Sequence, residues 1–305
     1  MDGILIIDKP AGITSHDVVN RVRRVLQTRR IGHTGTLDPF ATGVMVVVVG
    51  KATRLAQFLD KDEKEYEGVV RFGFETDTGD ATGQMRSPEG GMRKVEVTER
   101  LSSVNWGSVF EDFRGEIEQI PPMYSAKKVA GKKLYEHARK GVEIERKAVK
   151  VTISKLDITS ELTQNLEPET WDMGLRVVCS AGTYIRTLAE NIGRAIGTGA
   201  HLAELRRTRA GRFNLSQSVT LDELEQLAEP TSALLPKEIA VEHLPSIILD
   251  AARVAKTKSG LSTRVYEGQF ADNEAVSMLD EKQNLLAIGF YDAEEKSVRP
   301  KIVLV

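Results

Sequence analysis

The 305-residue chain contains a single cysteine, Cys179, and therefore cannot form an internal disulfide bond. It has no apolar run of about 18 residues, the length of a membrane span, and it does not begin with a basic segment followed by an apolar one. These absences argue against a disulfide-rich secreted domain, a membrane protein and a signal peptide. We expect a cytoplasmic protein with Cys179 in its core, because apolar residues precede this cysteine.

The common signatures of nucleotide, metal and hydrolase sites are also missing. Gly43, Gly50 and Lys51 resemble a phosphate-binding loop, but the glycines are too far apart and Ala52 replaces the required hydroxyl residue. The five histidines show no spacing with Cys, Asp or Glu that suits a metal. No serine has the glycine-flanked setting of a hydrolase nucleophile. By elimination, a carboxylate is the best candidate for a reactive group.

A carboxylate in a suitable setting occurs in residues 32–39, which read Gly-His-Thr-Gly-Thr-Leu-Asp-Pro. Gly32 and Gly35 can adopt backbone angles that are closed to other residues, and Pro39 biases Asp38 toward extended geometry. The loop is therefore predicted to hold Asp38 in place and to allow close approach of a ligand. A surface turn in which Asp38 bonds its own backbone is the alternative interpretation of this segment alone.

The formal net charge of −2 conceals a segregation of charge along the sequence. Acidic residues gather at 60–67 and 222–242, whereas Lys and Arg form three groups beside glycine-containing segments. The groups are Arg21, Arg23, Arg24, Arg29 and Arg30; Lys127, Lys128, Lys132, Lys133, Arg139, Lys140, Arg146, Lys147 and Lys150; and Arg206, Arg207, Arg209 and Arg212. Together they predict a positive face that binds the phosphates of a polyanion, although one group alone would indicate only a solvated surface.

Hydrophobic patterning predicts helices and strands that do not alternate regularly. Strands are predicted at 3–7, 44–49, 66–74, 147–156 and 171–180, and helices at 15–26, 51–59, 134–140 and 184–196. Ser15 is predicted to cap the first helix. This order favours an α+β fold with a mixed or antiparallel sheet over a doubly wound fold. The polar residues 162–169 are predicted to form a loop within a hairpin.

The composition changes near residue 230, where Pro230, Pro236 and Pro245 interrupt an acidic connector. Beyond the connector, short β-like runs at 247–249, 275–279, 285–290 and 301–305 are separated by Gly, Asp and Asn. We therefore expect a large domain at residues 1–235, which carries the candidate carboxylate. A small β-rich domain is expected at 246–305, near the lower size at which a domain folds alone.

Five segments in this order resemble the bacterial tRNA pseudouridine(55) synthases, the TruB family. Residues 8–15 correspond to its opening motif, 32–43 to its catalytic loop, 121–127 to its proline-tyrosine motif and 182–188 to its arginine motif; Lys64 and Tyr66 match its Lys-x-Tyr motif. The resemblance covers nearly the whole chain. It implies a pseudouridine synthase catalytic domain followed by a PUA-like RNA-binding domain, the latter matched in position and size more than in motif. Phe40 stands where leucine is common, which affects no catalytic position.

The resemblance implies an isomerase that converts uridine 55 in the TΨC arm of tRNA to pseudouridine after flipping the base out of the RNA. It implies that Asp38 is the nucleophile and that Arg186 pairs with it. Tyr66 would stack on the flipped base and remove the proton from C5 late in the reaction. Attack at the base, attack at C1′ and assisted departure of the uracilate all stay open as routes.

The resemblance also implies residues that bind the substrate. His33 is expected to contact the space of the flipped base, and Tyr184 and Leu205 to line the pocket. The cations expected to bind the RNA are Lys9, Lys64, Lys127, Lys132 and the arginines after Leu205, most of them through phosphates.

The reaction involves neither net redox change nor hydrolysis, so the resemblance implies no cofactor and no metal. The expected partner is the TΨC stem-loop of tRNA, bound by a monomer without a guide RNA or a membrane, and a tRNA-folding chaperone activity is a further expectation. Two rival classes stay open. A noncatalytic RNA binder or chaperone would leave Asp38, Tyr66 and Arg186 without a purpose, and a carboxylate-based phosphotransferase would lack a phosphate loop.

Overall fold

The computed structural model describes residues 1–86, 94–125, 127–129, 131–138, 140–166, 169–265 and 270–304. Its helices are α1 (Ser15–Val25), α2 (Lys94–Ser102), α3 (Trp106–Glu111), α4 (Leu134–Ala138), α5 (Ile185–Ala195), α6 (Leu221–Gln226) and α7 (Ala251–Lys258). Short 3₁₀ helices lie at Gly50–Phe58, Leu215–Gln217, Pro230–Ala233 and Lys237–Val241.

The strands of the N-terminal half are β1 (Gly3–Lys9), β2 (Ile31–His33), β3 (Thr42–Val49), β4 (Lys64–Phe72), β5 (Glu75–Thr76), β6 (Met85–Arg86), β7 (Gly115–Gln119), β8 (Lys128–Val129) and β9 (Lys132–Lys133). Those that follow are β10 (Val149–Leu166), β11 (Glu169–Cys179), β12 (Ala200–Ala210), β13 (Phe213–Asn214), β14 (Val219–Thr220), β15 (Ser246–Leu249), β16 (Thr263–Arg264), β17 (Ala275–Asp280), β18 (Leu285–Asp292) and β19 (Ser297–Val303).

A ten-stranded sheet is the scaffold of the larger part of the molecule. Its main path runs β14-β1-β3-β12-β4-β11-β10-β7, with β2 paired to β3 and β13 paired to β12. The pairs β1–β14 and β12–β3 are parallel and the others are antiparallel. The predicted α+β fold with a mixed sheet is therefore confirmed. The central strands β3 and β12 bring the segment before β3 next to residues 205–207.

Apolar clusters cover both halves of this sheet. One cluster packs α5 with Leu188 and Ile192 against strands that include Phe72 and Leu175. A second packs α1 against β1 and β3 through side chains such as Val18. Because α1 and α5 are amphipathic and each buries one face, the residues at their N-terminal ends are held firmly over the sheet.

A second, five-stranded sheet has the order β15-β17-β18-β19-β16. An apolar cluster joins it to the first part of the chain: Leu285, Ile288 and Ile302 pack with Leu55 and Phe213. The β-rich character expected of this region is confirmed, whereas the boundaries 1–235 and 246–305 stay predictions. The sequence reading missed α7, which Asp250 caps by accepting a hydrogen bond from the Arg253 N–H.

Two sequence-based expectations are wrong in detail. Thr14, not Ser15, is the N-cap of α1, in a reciprocal capping box with Asp17. The segment expected to be a hairpin loop at 162–169 is largely strand, because β10 continues to Leu166 and β11 begins at Glu169. Its polar composition reflects exposed strand positions, whereas residues 167–168 lie outside the described residues.

Cys179 is 1% exposed, so its predicted place in the core is confirmed. Burial raises the pKa of its thiol to about 11, which leaves it protonated and unreactive at neutral pH. Among the described residues, no helix is long and apolar enough to cross a membrane.

Candidate active site

Ser15 holds the segment that carries Asp38, which we call the Asp38 loop (residues 32–41). The Ser15 hydroxyl donates to the Leu37 carbonyl at 3.0 Å and accepts from the Leu37 N–H at 2.8 Å. Ser15 is 3% exposed and lies in the first turn of α1. The residue immediately before Asp38 is therefore bonded through both of its backbone groups to a rigid helix.

Lys9 binds the other side of the Asp38 loop. Its ammonium donates to the carbonyls of Pro10, Pro39 and Ala41 at 2.9, 3.2 and 2.6 Å, and the side chain is fully buried. Burial lowers the pKa of Lys9 to about 8, against the opposing field of Asp38. The expectation that Lys9 binds an RNA phosphate is wrong, because all three ammonium protons are used inside the protein and solvent cannot reach them.

Arg186 approaches Asp38 from the N-terminal turn of α5. Its Nε lies 2.8 Å from Asp38 Oδ2, while its two terminal nitrogens donate to the carbonyls of Thr78 and Tyr124, both at 2.7 Å. The helix start is itself held by Gln119, whose side chain accepts from the Tyr184 N–H and donates to the Tyr184 carbonyl. The pairing of Arg186 with Asp38 is thus present in the structure, and the guanidinium has no rotational freedom.

Asp80 is a second carboxylate at Arg186 that the sequence reading missed. Its Oδ2 lies 3.7 Å from the Arg186 Nη1, and its side chain is 7% exposed. The hydroxyl of Thr78 at 2.9 Å and the N–H of Thr82 at 3.0 Å both donate to its Oδ1. A signal was available: Asp80 ends the glycine-containing turn Asp77-Thr78-Gly79-Asp80, but its distance from every motif hid its role.

Asp38 is the one member of this group that opens toward solvent, with one third of its side chain (33%) exposed. Burial and, secondarily, the field of Asp80 raise its pKa, whereas Arg186 and Lys9 oppose the increase. The net shift is upward. The ionised carboxylate is therefore less solvated than in water, which favours its action as a nucleophile or as an electrostatic stabiliser.

A cavity of about 240 Å³ lies above Asp38. This is just below the ~300 Å³ at which small-ligand pockets begin, so it suits a single base or nucleoside. Predicted site residues from five separate segments line it, namely Asp38, Lys64, Tyr66, Lys127, Tyr184, Arg186 and Leu205. The structure thus brings together seven of the nine residues that were expected to catalyse the reaction or bind the substrate.

Tyr66 and Tyr184 form the aromatic part of the cavity. Burial raises the pKa of both phenols, and the side chains of Arg207 and Ser125 oppose this increase for Tyr66 and Tyr184, respectively. Both hydroxyls are therefore protonated at neutral pH. Flat apolar rings with one polar end suit a nucleobase, which stacks by its face and hydrogen-bonds by its edge.

Two predicted residues, His33 and Lys64, have hydrogen-bond partners within the protein. His33 is not among the residues that line the cavity, and its Nδ1 accepts from the Gly35 N–H at 3.3 Å. Lys64 contacts the cavity, but its ammonium donates to the carbonyls of Asp60 and Asp62. The substrate roles of both stay predictions. Arg139, from the second basic group, lies outside the described residues.

The basic group after Leu205 divides into inward and outward side chains. Arg206 is 39% exposed and binds both carboxylate oxygens of Asp8. Arg207 is 2% exposed, so the expectation that it holds a phosphate is wrong. Among the described residues, no three side chains of His, Cys, Asp or Glu are grouped as metal ligands are.

The arrangement offers a partly desolvated carboxylate, a fixed cation beside it and aromatic walls around a base-sized cavity. Such a site can attack or stabilise an electron-poor carbon while it isolates a flat ring from water.

Residues 23–185 match the family model of the TruB family pseudouridylate synthase N-terminal domain, and residues 186–242 match the tRNA pseudouridylate synthase B C-terminal domain. The chain is 46% identical over 263 residues to a tRNA pseudouridine synthase B from Solibacter usitatus, covering 85% of each protein. It is 37% identical over 311 residues to the tRNA pseudouridine synthase B of Bacillus subtilis, covering 100% of this chain and 98% of that protein.

Solved structures give a similar picture. A chain of a Cbf5-Nop10-Gar1 complex superposes with a TM-score of 0.70 at 28% identity, covering 99% of this chain and 85% of that chain. A chain of an H/ACA RNP bound to a substrate RNA containing 2′-deoxyuridine superposes with a TM-score of 0.69 at 27% identity, covering 99% and 85%, respectively.

Proposed function

Because the chain belongs to the TruB family of pseudouridylate synthases, we propose that it converts uridine 55 in the TΨC arm of tRNA to pseudouridine, with Asp38 as nucleophile. The chain is an isomerase, a tRNA pseudouridine synthase of the B type. The observation that carries the finer proposal is the Asp38–Arg186 ion pair at the wall of the base-sized cavity.

The chemistry fits these residues without external reagents. The bond between N1 and C1′ breaks, a bond between C5 and C1′ forms, a proton leaves C5 and N1 gains one, so atoms and electrons balance within the substrate. Asp38 attacks or stabilises the electron-poor centre while Arg186 fixes its direction and limits the cost of its burial. Tyr66 stacks on the base and accepts the C5 proton. Attack at the base, attack at C1′ and departure of the uracilate all use this geometry.

Access to the cavity requires that the uridine leave its stack, which costs a few kcal/mol. Contacts of the flipped ring with Tyr184 and Leu205, which line the cavity, offset part of this free energy. Lys127 lies at the cavity, and Lys132 is exposed nearby in sequence; both serve RNA phosphates in this proposal. The substrate is cytoplasmic tRNA, bound by a monomer that needs no guide RNA.

Residues 246–305 are proposed to form a separate RNA-binding domain of the PUA type, and residues 1–235 the catalytic domain. One groove of the five-stranded sheet region is lined by three cations and two carboxylates, namely Arg253, Lys256, Arg264, Glu294 and Glu295, so its charge is positive on balance. The residues that line this groove are not those that line the Asp38 cavity. The groove can therefore add affinity without contributing to the chemistry.

The test is nucleotide-resolution mapping of pseudouridine in an unmodified tRNA transcript after incubation with the purified chain alone. We expect one modified uridine, at position 55, and none with Asp38→Asn. Modification at another position would refute the stated specificity, and turnover by Asp38→Asn would refute the nucleophile.

Asp38→Asn is a suitable control because we expect it to be at least as stable as the wild type. A raised pKa means that the folded state favours the protonated acid, a stability contribution that is present at low pH and lost as the pH rises through the pKa. The neutral amide avoids that loss. We therefore expect the melting temperature of Asp38→Asn at pH 7 to equal or exceed that of the wild type.

A tRNA-folding activity is a second proposal, favoured by the presence of cations on both sheet regions outside the Asp38 cavity. Opening the tRNA elbow to reach the base would also release misfolded elbows. Asp38→Asn should then still accelerate refolding of a misfolded transcript, whereas loss of both activities together would contradict a separate chaperone role.

A further inference from the structure

Arg207 is a buried cation at the centre of the site. It is 2% exposed and lies on β12 directly opposite Tyr66 of the neighbouring antiparallel strand β4. It is also paired with Gly43 of the parallel strand β3, immediately after the Asp38 loop. The three strands that carry the catalytic parts therefore meet at this residue.

The guanidinium of Arg207 binds two of these parts at once. Its Nε donates to the Val44 carbonyl at 2.7 Å, and its Nη2 donates to the carbonyl of Gly35, inside the Asp38 loop, at 3.1 Å. The side chain also lines the cavity together with Tyr66, its cross-strand neighbour, and its charge acts on the Tyr66 hydroxyl. One side chain thus contacts the loop of the nucleophile and lies beside Tyr66.

The backbone of Arg207 packs closely against Gly43 of β3, which limits the positions that the Arg207 side chain can adopt. Gly43 has a φ of +101°, and a Cβ there would lie 2.2 Å from the Arg207 carbonyl oxygen. Only glycine permits this approach. The close contact between β3 and β12 fixes the backbone of Arg207, and the hydrogen bonds of the guanidinium fix the end of its side chain.

The charge of Arg207 has no carboxylate within ion-pair distance among the described residues. Its neighbours include the cations Lys9 and Lys64, and its field contributes to the lowered pKa of both. A buried cation placed next to other cations is costly unless an anion forms near it. The Tyr66 hydroxyl, on the residue directly opposite Arg207 across the strand pair, is a group on which this charge acts and that can become anionic.

We propose that Arg207 is a positioning residue that aims the Tyr66 hydroxyl at the flipped base and stabilises the Tyr66 oxygen while it exchanges protons. The inference rests on the proposed role of Tyr66 in removing the C5 proton. Tyr66 can accept that proton only as its own hydroxyl proton leaves, and N1 of the base gains a proton in the same overall isomerisation. A fixed guanidinium at the phenol oxygen lowers the energy of the anionic form through which this exchange passes.

The direction of the effect follows from the charges. Burial raises the pKa of Tyr66, and the positive charge of Arg207 opposes that increase. Removal of the positive charge leaves burial unopposed. The phenol then becomes a weaker acid, and the step that needs its anion becomes slower at a given pH.

The first experiment is a double-mutant cycle on single-turnover rates with saturating enzyme. Arg207→Gln and Arg207→Lys are each combined with Tyr66→Phe. We expect Arg207→Gln to lose roughly 10²-fold and Arg207→Lys about tenfold, because Lys keeps the charge without the planar donor pair. In the Tyr66→Phe background, either change should cost less than about twofold more. Full losses in both backgrounds would overturn the proposal and leave Arg207 a support of the Asp38 loop alone.

Arg71→Lys is the matched control. Arg71 lies on the same strand as Tyr66 and binds both oxygens of Asp172, away from the cavity lining. The same chemical change there should leave the single-turnover rate unaltered. A loss equal to that of Arg207→Lys would show that the rate responds to any weakened arginine near this strand, which would contradict the proposal.

The second measurement needs no RNA and no turnover. Protein labelled with ¹³Cζ-tyrosine is titrated by NMR, and the Tyr66 signal is assigned by its absence in Tyr66→Phe. We expect the pKa of Tyr66 to rise in Arg207→Gln, which removes the positive charge, relative to the wild type, and an unchanged pKa would overturn the proposal. If Tyr66→Phe turns over normally while the NMR shift is present, the proposed role of Tyr66 fails and the interaction with Arg207 stands.

Discussion

The buried and the exposed cations of this chain share sequence neighbourhoods but perform different tasks. Lys9, Arg186 and Arg207 are at most 5% exposed and donate mainly to backbone carbonyls around the Asp38 loop. Lys132 and Lys147, in contrast, are exposed. The first set determines the geometry of the site, whereas the second is available to RNA.

The difference arises from what burial does to a charge. A buried ammonium or guanidinium is tolerated only when each donor finds an acceptor, so its position is fixed by the protein. An exposed cation keeps its water and contributes to RNA affinity through released counterions. Replacement of the first kind should therefore change turnover, and replacement of the second should change the salt dependence of binding.

The largest effect is expected for Arg186→Met. The change leaves Asp38 and the buried Asp80 without their shared cation and frees the carbonyls of Thr78 and Tyr124. We expect turnover to fall by at least roughly 10³-fold and the free energy of unfolding to fall by ~3–5 kcal/mol. Single-turnover assays and urea melts measure the two losses. Near-normal turnover by a folded variant would contradict the role of the ion pair.

A smaller and more diagnostic effect is expected for Asp80→Asn. Asp80 raises the pKa of Asp38, so its neutralisation should lower that pKa. Because turnover requires ionised Asp38, the acid limb of the pH–rate profile should move to lower pH, although the looser Arg186 reduces the maximal rate by about tenfold, or ~1.4 kcal/mol. A limb that stays in place would mean that Asp80 does not act on Asp38 electrostatically.

Lys9→Met tests whether a buried cation supports turnover without contributing to RNA binding. We expect a severalfold loss of turnover with no change in the slope of RNA affinity against salt, because the Lys9 ammonium is bonded only to carbonyls. In the folded state burial lowers its pKa from the ordinary 10.5 to about 8, so the unfolded chain binds more protons between these two pH values. The stability of the wild type relative to Lys9→Met should therefore increase as the pH rises from about 8 to 10.5.

The smallest effect on chemistry is expected for Lys132→Ala, an exposed position. Turnover of bound RNA should stay unchanged, while the slope of log affinity against log salt should become shallower by about 1. Filter binding across a salt series measures this slope. If Lys132→Ala and Lys9→Met behaved alike, the distinction between the two classes of cation would fail.

Much of the fold was readable from local pattern. The runs that became β1 and β3 are almost wholly apolar, which only a buried strand tolerates at that length, and both were predicted. β10 was underestimated because its outer half has exposed polar side chains, which resemble a loop when the partner β11 is not considered. The cap of α1 was misplaced by one residue because Thr14 and Ser15 are both good caps and only Thr14 has the extended backbone.

The site residues, like the strands, were predictable only where the local sequence marks them. Asp38 was predictable because Gly32, Gly35 and Pro39 lie within a few residues of it, although neither glycine has a positive φ and the loop is held by Ser15 and Lys9 instead. Asp80 was not predicted, because its partner Arg186 lies 106 positions away and the glycine-containing turn that it ends does not by itself indicate a buried charge.

The sequence by itself determined the chemistry that the chain carries: a carboxylate in a constrained loop, tyrosines and an arginine in ordered motifs, and one inert cysteine. Only the tertiary structure decided which cations face inward, as the neighbours Arg206 and Arg207 demonstrate. Alternation along β12 turns one to Asp8 and the other to Tyr66, and its bulge against β4 follows directly after them. Burial depends on strands brought together from distant parts of the chain, so a local pattern of charge does not encode it.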